Sequence, residues 1–313
     1  MKKLSLALAT YNEESNIVDC IESCKGLVDE VVVVDGSSQD KTGELALEAG
    51  ATVIRTQNES MFHINKQKAI EACTGDWILQ LDADERVTLE LAEEIKKIIG
   101  MTNEEISKYQ EGLKEKKLFK RHQSLVQSES SHSTQSGAGA LLHSPPTSQP
   151  TTVRGPHLHT IASDSSYNAY FIPRLNFFLG GYLSSGGVYP DGVIRLIKKG
   201  KAYLPCKSVH ELMEVEGKTG WLANPLIHKD SPTFKRYLER NSRYIDQLVI
   251  ELKNCHSGQI SLFFDWVFIK PITTFFSLLI RHKGILDGWR GVIFAFFSAI
   301  RFPRAYLRYT MRG

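Results

Sequence analysis

Apolar positions along the first hundred residues alternate between two periods. Leu4–Thr10 is a short apolar run, followed by a helical pattern through Ile17, Cys20, Ile21 and Cys24 that stops at Gly26. "EVVVVD", Glu30–Asp35, is a β-branched run suited to burial on both faces. Thr42–Ala49 reads as a helix closed by Gly50, "ATVIRT" as a third strand, His63–Cys73 as a helix and "DWILQLD" as a fourth strand. Thr88 then caps a helix carrying Leu91, Ile95 and Ile98 to Gly100. Strands alternating with helices predict a parallel sheet with right-handed crossovers, whose ligands sit at the carboxyl ends of the strands. Those ends carry Thr10-Tyr11-Asn12-Glu13, Asp35-Gly36-Ser37-Ser38 and Asp82-Ala83-Asp84, three polar clusters expected on one edge.

The pattern fails after residue 100. A Lys/Glu helix-like piece leads into a stretch rich in Ser, Thr, Pro, Gly and His, and 101–165 is expected to be a low-complexity, disordered insert. Its irregularly spaced His132, His143, His157 and His159 make a metal tract the lesser reading. Order is expected to resume at "NAYFIPRLNFFLGG". "VIRLIKKGKAYLP" reads as a hairpin turning at Gly200, and a second strand pair is expected around Gly217–Gly220. Ser231-Pro232 reads as a helix start, with Phe234, Leu238, Ile245, Leu248 and Leu252 as its apolar stripe. The expected segments are therefore a parallel α/β half over 1–100, the insert over 101–165, a second strand-bearing half over 166–230 and a helical region over 231–313.

Composition narrows the class. The chain has 313 residues, is 42% hydrophobic and 23% charged, and so reads as a soluble globular protein. A net charge of +3 is too small to argue for nucleic acid. The charge is uneven: from Arg281 onward seven Arg/Lys face Asp287 alone. In the same tail "SLFFDWVFIKPITTFFSLLI" is interrupted by Asp265, Lys270 and Pro271, and "GVIFAFFSAIRF" is too short to span a bilayer. A helix pair lying at a membrane surface is expected, which places the chain at the cytoplasmic face as a peripheral protein; the plainer alternative is a hydrophobic helix pair packed on protein. The five Cys are scattered, which suits free thiols in a reducing compartment. The apolar stretch Leu4–Ala9 runs directly into Asn-Glu-Glu and is read as a strand and not as a signal peptide.

The chemistry concentrates in "LQLDADERVT". Asp82 and Asp84, two apart on an extended segment, face the same way and repel. A divalent cation, Mg²⁺ or Mn²⁺, would relieve that repulsion while binding substrate phosphates.

"LALATYNEESNI", "VVVVDGSSQDKT" and "GDWILQLDADERV", in this order and spacing, resemble the inverting glycosyltransferases of family 2. The resemblance covers roughly 1–100 and 168–310. It implies the α/β GT-A fold, a Rossmann-like, mostly parallel sheet flanked by helices, here with a C-terminal helical, aromatic-rich extension. "PDGVIRLIKKGKAYLPCKSVHE" and "HKDSPTFKRYLERNSRYID" look like the branch that adds glucose or a similar hexose to lipopolysaccharide core or related surface glycans. The resemblance further implies that Thr10, Tyr11, Glu13 and Asp35 hold uracil and ribose, with Ser37 and Ser38 adjoining. Asp82 would lie near ribose and metal, Asp84 and His228 would bind metal, and Gly186-Gly187 would form a loop near donor sugar and acceptor. Glu211 falls at the place of the catalytic base, beside His210 where an acid is commoner. Of the two, a carboxylate is the better base at neutral pH. Lys66 and Arg195 could touch phosphate, though a surface or structural role is the plainer reading.

Two other functions fit parts of this pattern. Transfer to a polyprenyl phosphate would suit the aromatic tail and need little base catalysis. A non-catalytic nucleotide-sugar or glycan-binding protein would share the fold. A nucleotidylyltransferase would need a Gly-rich, Arg-containing loop where "TYNEES" stands, and a phosphatase would carry its Asp-x-Asp after the first strand.

Overall fold

The computed structural model describes residues 2–114, 116–121, 166–206, 213–253 and 259–312. These fall into two compact units. The first draws on the chain up to Arg121, on residues to Arg174 and on Asp191–His228; the second on Leu175–Pro190 and on the chain from Lys229.

In the first unit β1 (Leu4–Thr10), β2 (Glu30–Asp35), β3 (Thr52–Arg55) and β4 (Trp77–Leu81) form the predicted parallel half of the sheet, in the order β3-β2-β1-β4. Between them run α1 (Ile17–Ser23), α2 (Thr42–Glu48) and α3 (Phe62–Ala72). The alternation along β1 and β4 divides the core. Leu4, Leu6, Leu8, Trp77, Leu79 and Leu81 face α1 and the later helix α4, whereas Ala7 and Ile78 face Ala69 and Ile70 of α3. β5 (Glu85–Val87) follows at once, and α4 (Leu89–Gly100) begins at the expected cap, with Thr88 Oγ1 accepting from the Leu91 amide at 3.1 Å.

Within the span that composition marks as insert, α5 (Asn103–Lys114) is helical because Ile106 and Leu113 bury one face. Gln110 fixes it, donating to the Trp221 carbonyl and accepting from the Trp221 amide. Residues 122–165 lie outside the described residues.

The rest of the sheet is mostly antiparallel. β6 (Tyr167–Phe178), β7 (Gly181–Leu183), β8 (Asp191–Lys198), β9 (Ala202–Tyr203), β10 (Glu214–Val215), β11 (Lys218–Trp221) and β12 (Leu226–Ser231) complete the strands, and the main order runs β4-β8-β6-β12-β5. Both expected hairpins are differently paired. The chain does turn at Gly200, but β9 leaves the main sheet to pair with β10, while β11 joins β6 in parallel. The turn residues set where the chain reverses; long-range pairing set which strand it met.

In the second unit α6 (Phe234–Lys253) starts two residues after Pro232, and Thr233 rather than Ser231 accepts the first-turn amide, from Arg236 at 3.3 Å. Its Ile245, Leu248, Val249 and Leu252 bury against Leu262, Trp266, Phe302 and Ala305. These last come from α7 (Gln259–Phe264), the wider i→i+5 turn Asp265–Ile269 that follows it, and the final helix α10 (Arg301–Arg312). α8 (Lys270–Phe276), a second wide turn (Ser277–Arg281), a tight turn (Gly284–Asp287) and α9 (Trp289–Ala299) lie between. By length and mean hydropathy, 1.5, Ile260–Arg281 is apolar enough to cross a membrane despite Asp265 and Lys270, and only 11% of that window is buried.

Candidate active site

Strand order reverses at β1: β2 and β3 lie on one side, β4 on the other. The carboxyl ends of β1 and β4 lie at this switch point, the usual place of the ligand crevice in open α/β sheets. Thr10–Glu13 and Asp82–Asp84 flank it, and Asp35 ends the neighbouring β2 in register with Thr10.

At the β1–β2 side the polar loops hold one another. Asp35 is buried and accepts from Thr10 Oγ1 at 3.3 Å and from Ser38, through the hydroxyl at 2.5 Å and the amide at 3.2 Å. Ser38 Oγ in turn accepts from the Asn12 amide, and Asn12 Oδ1 from the Gln39 amide, so two loops that both contain a left-handed residue, Asn12 and Ser37, are laced together. Ser37 donates to the Thr56 carbonyl. Glu13 Oε2 accepts from the Asn16 side chain, and its amide donates to Thr42 Oγ1. Tyr11 stands 41% exposed at the mouth, available to a planar ligand.

At the end of β4 the charges of Asp82 and of the neighbouring Glu85 are countered by the chain's own cations. Asp82 Oδ1 lies 2.5 Å from Lys66 Nζ and Oδ2 lies 2.6 Å from Arg195 Nη2. Glu85, fully buried, accepts from Arg195 Nη2 at 2.8 Å and from the Asp82 amide at 2.9 Å, and lies 3.6 Å from Arg174 Nη1. Arg174 also pairs with Asp191 at 2.6 Å. Three carboxylates and three cations thus form one connected, balanced group. Burial opposes the ionisation of Asp82, but Arg195 and then Lys66 outweigh it and hold the carboxyl well below its usual range. Burial likewise opposes the charge of Arg195, and Asp82 and Glu85 reverse the effect.

This explains residues that sequence reasoning passed over. The sequence pattern assigns no role to Glu85, Arg174 or Asp191. Register brings them together: Arg174 on β6 faces Asp191 on β8, and Arg195 lies one step beyond the Leu79–Leu196 pair, beside Gln80, to which it donates at 2.6 Å. The available signal was the apolar setting of Arg195 in "VIRLI", since a charge inside such a run needs a partner.

Asp84 finds a different neighbour. β12 pairs antiparallel with β5 so that His228 stands opposite Glu85, and this puts His228 Nε2 3.6 Å from Asp84 Oδ2. Two donors each about 2.1 Å from an ion span at most about 4.2 Å, so the pair is spaced for one divalent cation. No cluster of three or more metal-ligating side chains exists among the described residues, so further ligands would come from substrate oxygens and water.

His210 and Glu211 lie outside the described residues. Gly186 and Gly187 belong to the second unit, both with positive φ, 64° and 77°. Cys20, Cys24, Cys73 and Cys206 are free thiols, and burial pushes Cys24 and Cys73 up to about 12.

The strand order, the acidic strand ends and the laced β1–β2 loops define an open α/β domain with its polar residues gathered at the carboxyl ends of the parallel strands. Residues 5–137 match the family model "Glycosyl transferase family 2". It is 39% identical over 106 residues to an uncharacterised glycosyltransferase of Rickettsia typhi, covering 34% of this chain and 36% of that one. It is 34% identical over 106 residues to the lipopolysaccharide core biosynthesis glycosyltransferase LpsC of Rhizobium meliloti, covering 32% and 38%. The chain thus spans well under half the length of these relatives. Among solved structures it is similar to glucosyl-3-phosphoglycerate synthase from Mycobacterium tuberculosis in complex with Mn²⁺, UDP and glucosyl-3-phosphoglycerate. The identity is 24%, the coverage 33% and 41%, and the TM-score 0.29.

Proposed function

We propose that the chain is an inverting glycosyltransferase that moves a hexose, glucose first among the candidates, from a UDP-sugar to a hydroxyl of a lipopolysaccharide-core or other cell-surface glycan, working at the cytoplasmic face of a membrane. The observation that carries this reading is the meeting of Asp84 and His228 at the end of β4, where the carboxylates on either side are already neutralised. Asp84 and His228, with Asp82 adjoining, would hold Mg²⁺ or Mn²⁺, which supplies positive charge to the leaving diphosphate. Because Lys66 and Arg195 already cancel Asp82, the site's uncompensated negative charge is small, and an anionic diphosphate can enter without strong repulsion. Asp35, oriented by Thr10 and Ser38, and Tyr11 with Glu13 would take the uridine. Ser37 and Ser38 shape the adjoining loop, and Gly186 and Gly187 would lie near the sugar and acceptor.

In the reaction Glu211, or His210 beside it, takes the proton of the acceptor hydroxyl. The hydroxyl oxygen bonds to the anomeric carbon from the face opposite the diphosphate. The bond from that carbon to the diphosphate oxygen breaks, UDP departs with the electron pair, and an α-linked donor yields a β-linked product. The test is UDP release from a panel of UDP-sugars with Mn²⁺ or Mg²⁺, wild type beside Asp84→Ala. Metal-dependent hydrolysis of one donor, lost in the variant, supports the reading. No release and no UDP binding would leave a non-catalytic binding protein.

The exposed apolar helix Ile260–Arg281 favours one second reading, transfer to a polyprenyl phosphate. A phosphate acceptor arrives already ionised, so Glu211→Gln would keep its activity there and lose it with a hydroxyl acceptor.

A further inference from the structure

Ile260, Phe264, Phe268, Ile272, Phe276 and Ile280 recur every fourth residue, and each is between 48% and 77% exposed. In an uninterrupted α-helix a row at this spacing drifts by about 40° per step, roughly 200° over the run, and would wrap onto the opposite side. Here the two wide turns, Asp265–Ile269 and Ser277–Arg281, underwind the helix and offset that drift, keeping the row on one face. The face continues past the helix end into Ile285, Leu286 and Trp289, which are 60%, 71% and 54% exposed.

Charge distinguishes the end of this face. Arg281 and Lys283 are exposed beside Ile280 and Ile285. The nearby acid, Asp287, is turned away from solvent use: its carboxylate accepts from the Ser184 amide and hydroxyl at 3.1 and 2.8 Å and from the Ser185 amide at 2.9 Å. What the tip offers outward is therefore apolar and cationic, with a Trp at the margin, the pattern complementary to an anionic lipid headgroup layer over acyl chains.

The tip is also joined to the loop Ser184–Gly187 through backbone. The Gly186 amide donates to the His282 carbonyl at 2.9 Å. A Cβ on Gly284 would lie 3.3 Å from Gly186 Cα and 2.7 Å from the Leu278 carbonyl, and one on Gly291 would lie 1.8 Å from the Gly284 carbonyl. Three glycines thus let the loop, the tip and α9 stack without side chains between them. With the Asp287 clamp, displacement of the tip is carried to the loop.

We infer that the Ile260–Trp289 face docks on an anionic bilayer surface through its apolar row and Arg281 and Lys283, and that docking orders the Ser184–Gly187 loop through Asp287 and the Gly186–Gly284 contact. The consequence for turnover rests on the acceptor-side role proposed above for Gly186 and Gly187. Flotation of the full chain with phosphatidylglycerol/phosphatidylcholine vesicles tests it, beside phosphatidylcholine-only vesicles and the variants Arg281→Glu/Lys283→Glu and Phe268→Ser/Phe276→Ser. Hydrogen exchange is read at the Ser184 and Ser185 amides, and UDP binding is measured in parallel. The expected result is binding to the anionic vesicles, at least about 30-fold weaker in the charge variant at roughly fivefold per cation, with slowed exchange at both amides. Weak binding by the Phe variant, with unchanged near-ultraviolet circular dichroism, assigns the apolar row. Equal binding to neutral vesicles, or binding unaffected by either variant, overturns the inference. So does anionic binding with unchanged exchange, for the loop. Failure to bind vesicles with UDP binding intact sinks this inference and leaves the proposed function; the reverse result does the opposite.

Discussion

Glu85→Gln removes one charge from the centre of the buried ion group while keeping its volume. In the wild type Glu85 Oε1 accepts from Arg195 and Oε2 accepts from the Asp82 amide. A glutamine must place its NH₂ at one of those positions, so a donor faces a donor whichever way the amide turns. Arg174 and Arg195 are then left with Asp82 and Asp191 as their remaining anions. Breaking a buried pair in this way costs about 3–5 kcal/mol, because the surviving charges stay desolvated. At roughly 2–4 °C per kcal/mol for a unit of about 150–250 residues, the melting transition should fall by about 10 °C. Urea unfolding followed by Trp fluorescence gives the free energy directly. A double-mutant cycle with Arg195→Met should return a coupling of at least about 1.5 kcal/mol, the double variant being less damaged than the sum of the singles. A loss under about 1 kcal/mol with no coupling would mean the group behaves like a solvated surface pair and would refute the reasoning.

Other expectations follow from the same geometry. His228→Ala should weaken Mn²⁺-dependent UDP binding at least about tenfold in calorimetry, with a melting point changed by no more than about 2 °C; unchanged binding would remove His228 from the site. Asp82 is held below its usual range, so its stabilisation is complete above the unfolded carboxyl value near pH 4 and is lost as pH falls through the depressed folded value. Asp82→Asn should therefore flatten the acid limb of stability against pH, and an unchanged limb would place the acid sensitivity elsewhere. Cys24 and Cys73, pushed up to about 12, should alkylate at pH 8 about a thousandfold more slowly than an ordinary thiol until the protein is unfolded. Rapid labelling of either in the native state would show that the core around it opens.

Much of the first hundred residues was legible because its signals are local. The β-branched run Glu30–Asp35, the Thr88 cap and the alternation along β1 each depend on neighbours within a few residues, and the elements formed where those patterns placed them. The carboxyl-end rule then gathered Thr10, Asp35 and Asp82 at one edge before any contact was known. The exposed apolar row of Ile260–Arg281 is partly legible as well. The four-residue row is visible in the letters, but whether it stays on one side depends on two wide turns that no local propensity announces.

By itself, then, the sequence determined most strands and helices of the first hundred residues and which acids end them; the extended geometry expected for "DADE" gives way to a turn closed by the Glu85 amide on the Asp82 carbonyl at 2.9 Å, and Asp82 and Asp84 meet different partners. Only the tertiary structure decided how those charges are answered. Lys66, Arg174 and Arg195 come from three elements, α3, β6 and β8, and the meeting of the two arginines with Asp82, Glu85 and Asp191 follows from the registers of β4, β8 and β6, which are set by burying whole faces of strands. His228 reaches Asp84 for the same reason, through the register of β12 on β5. A side chain's charge is written in the chain, but the partner that answers it is chosen by packing across more than a hundred residues of sequence.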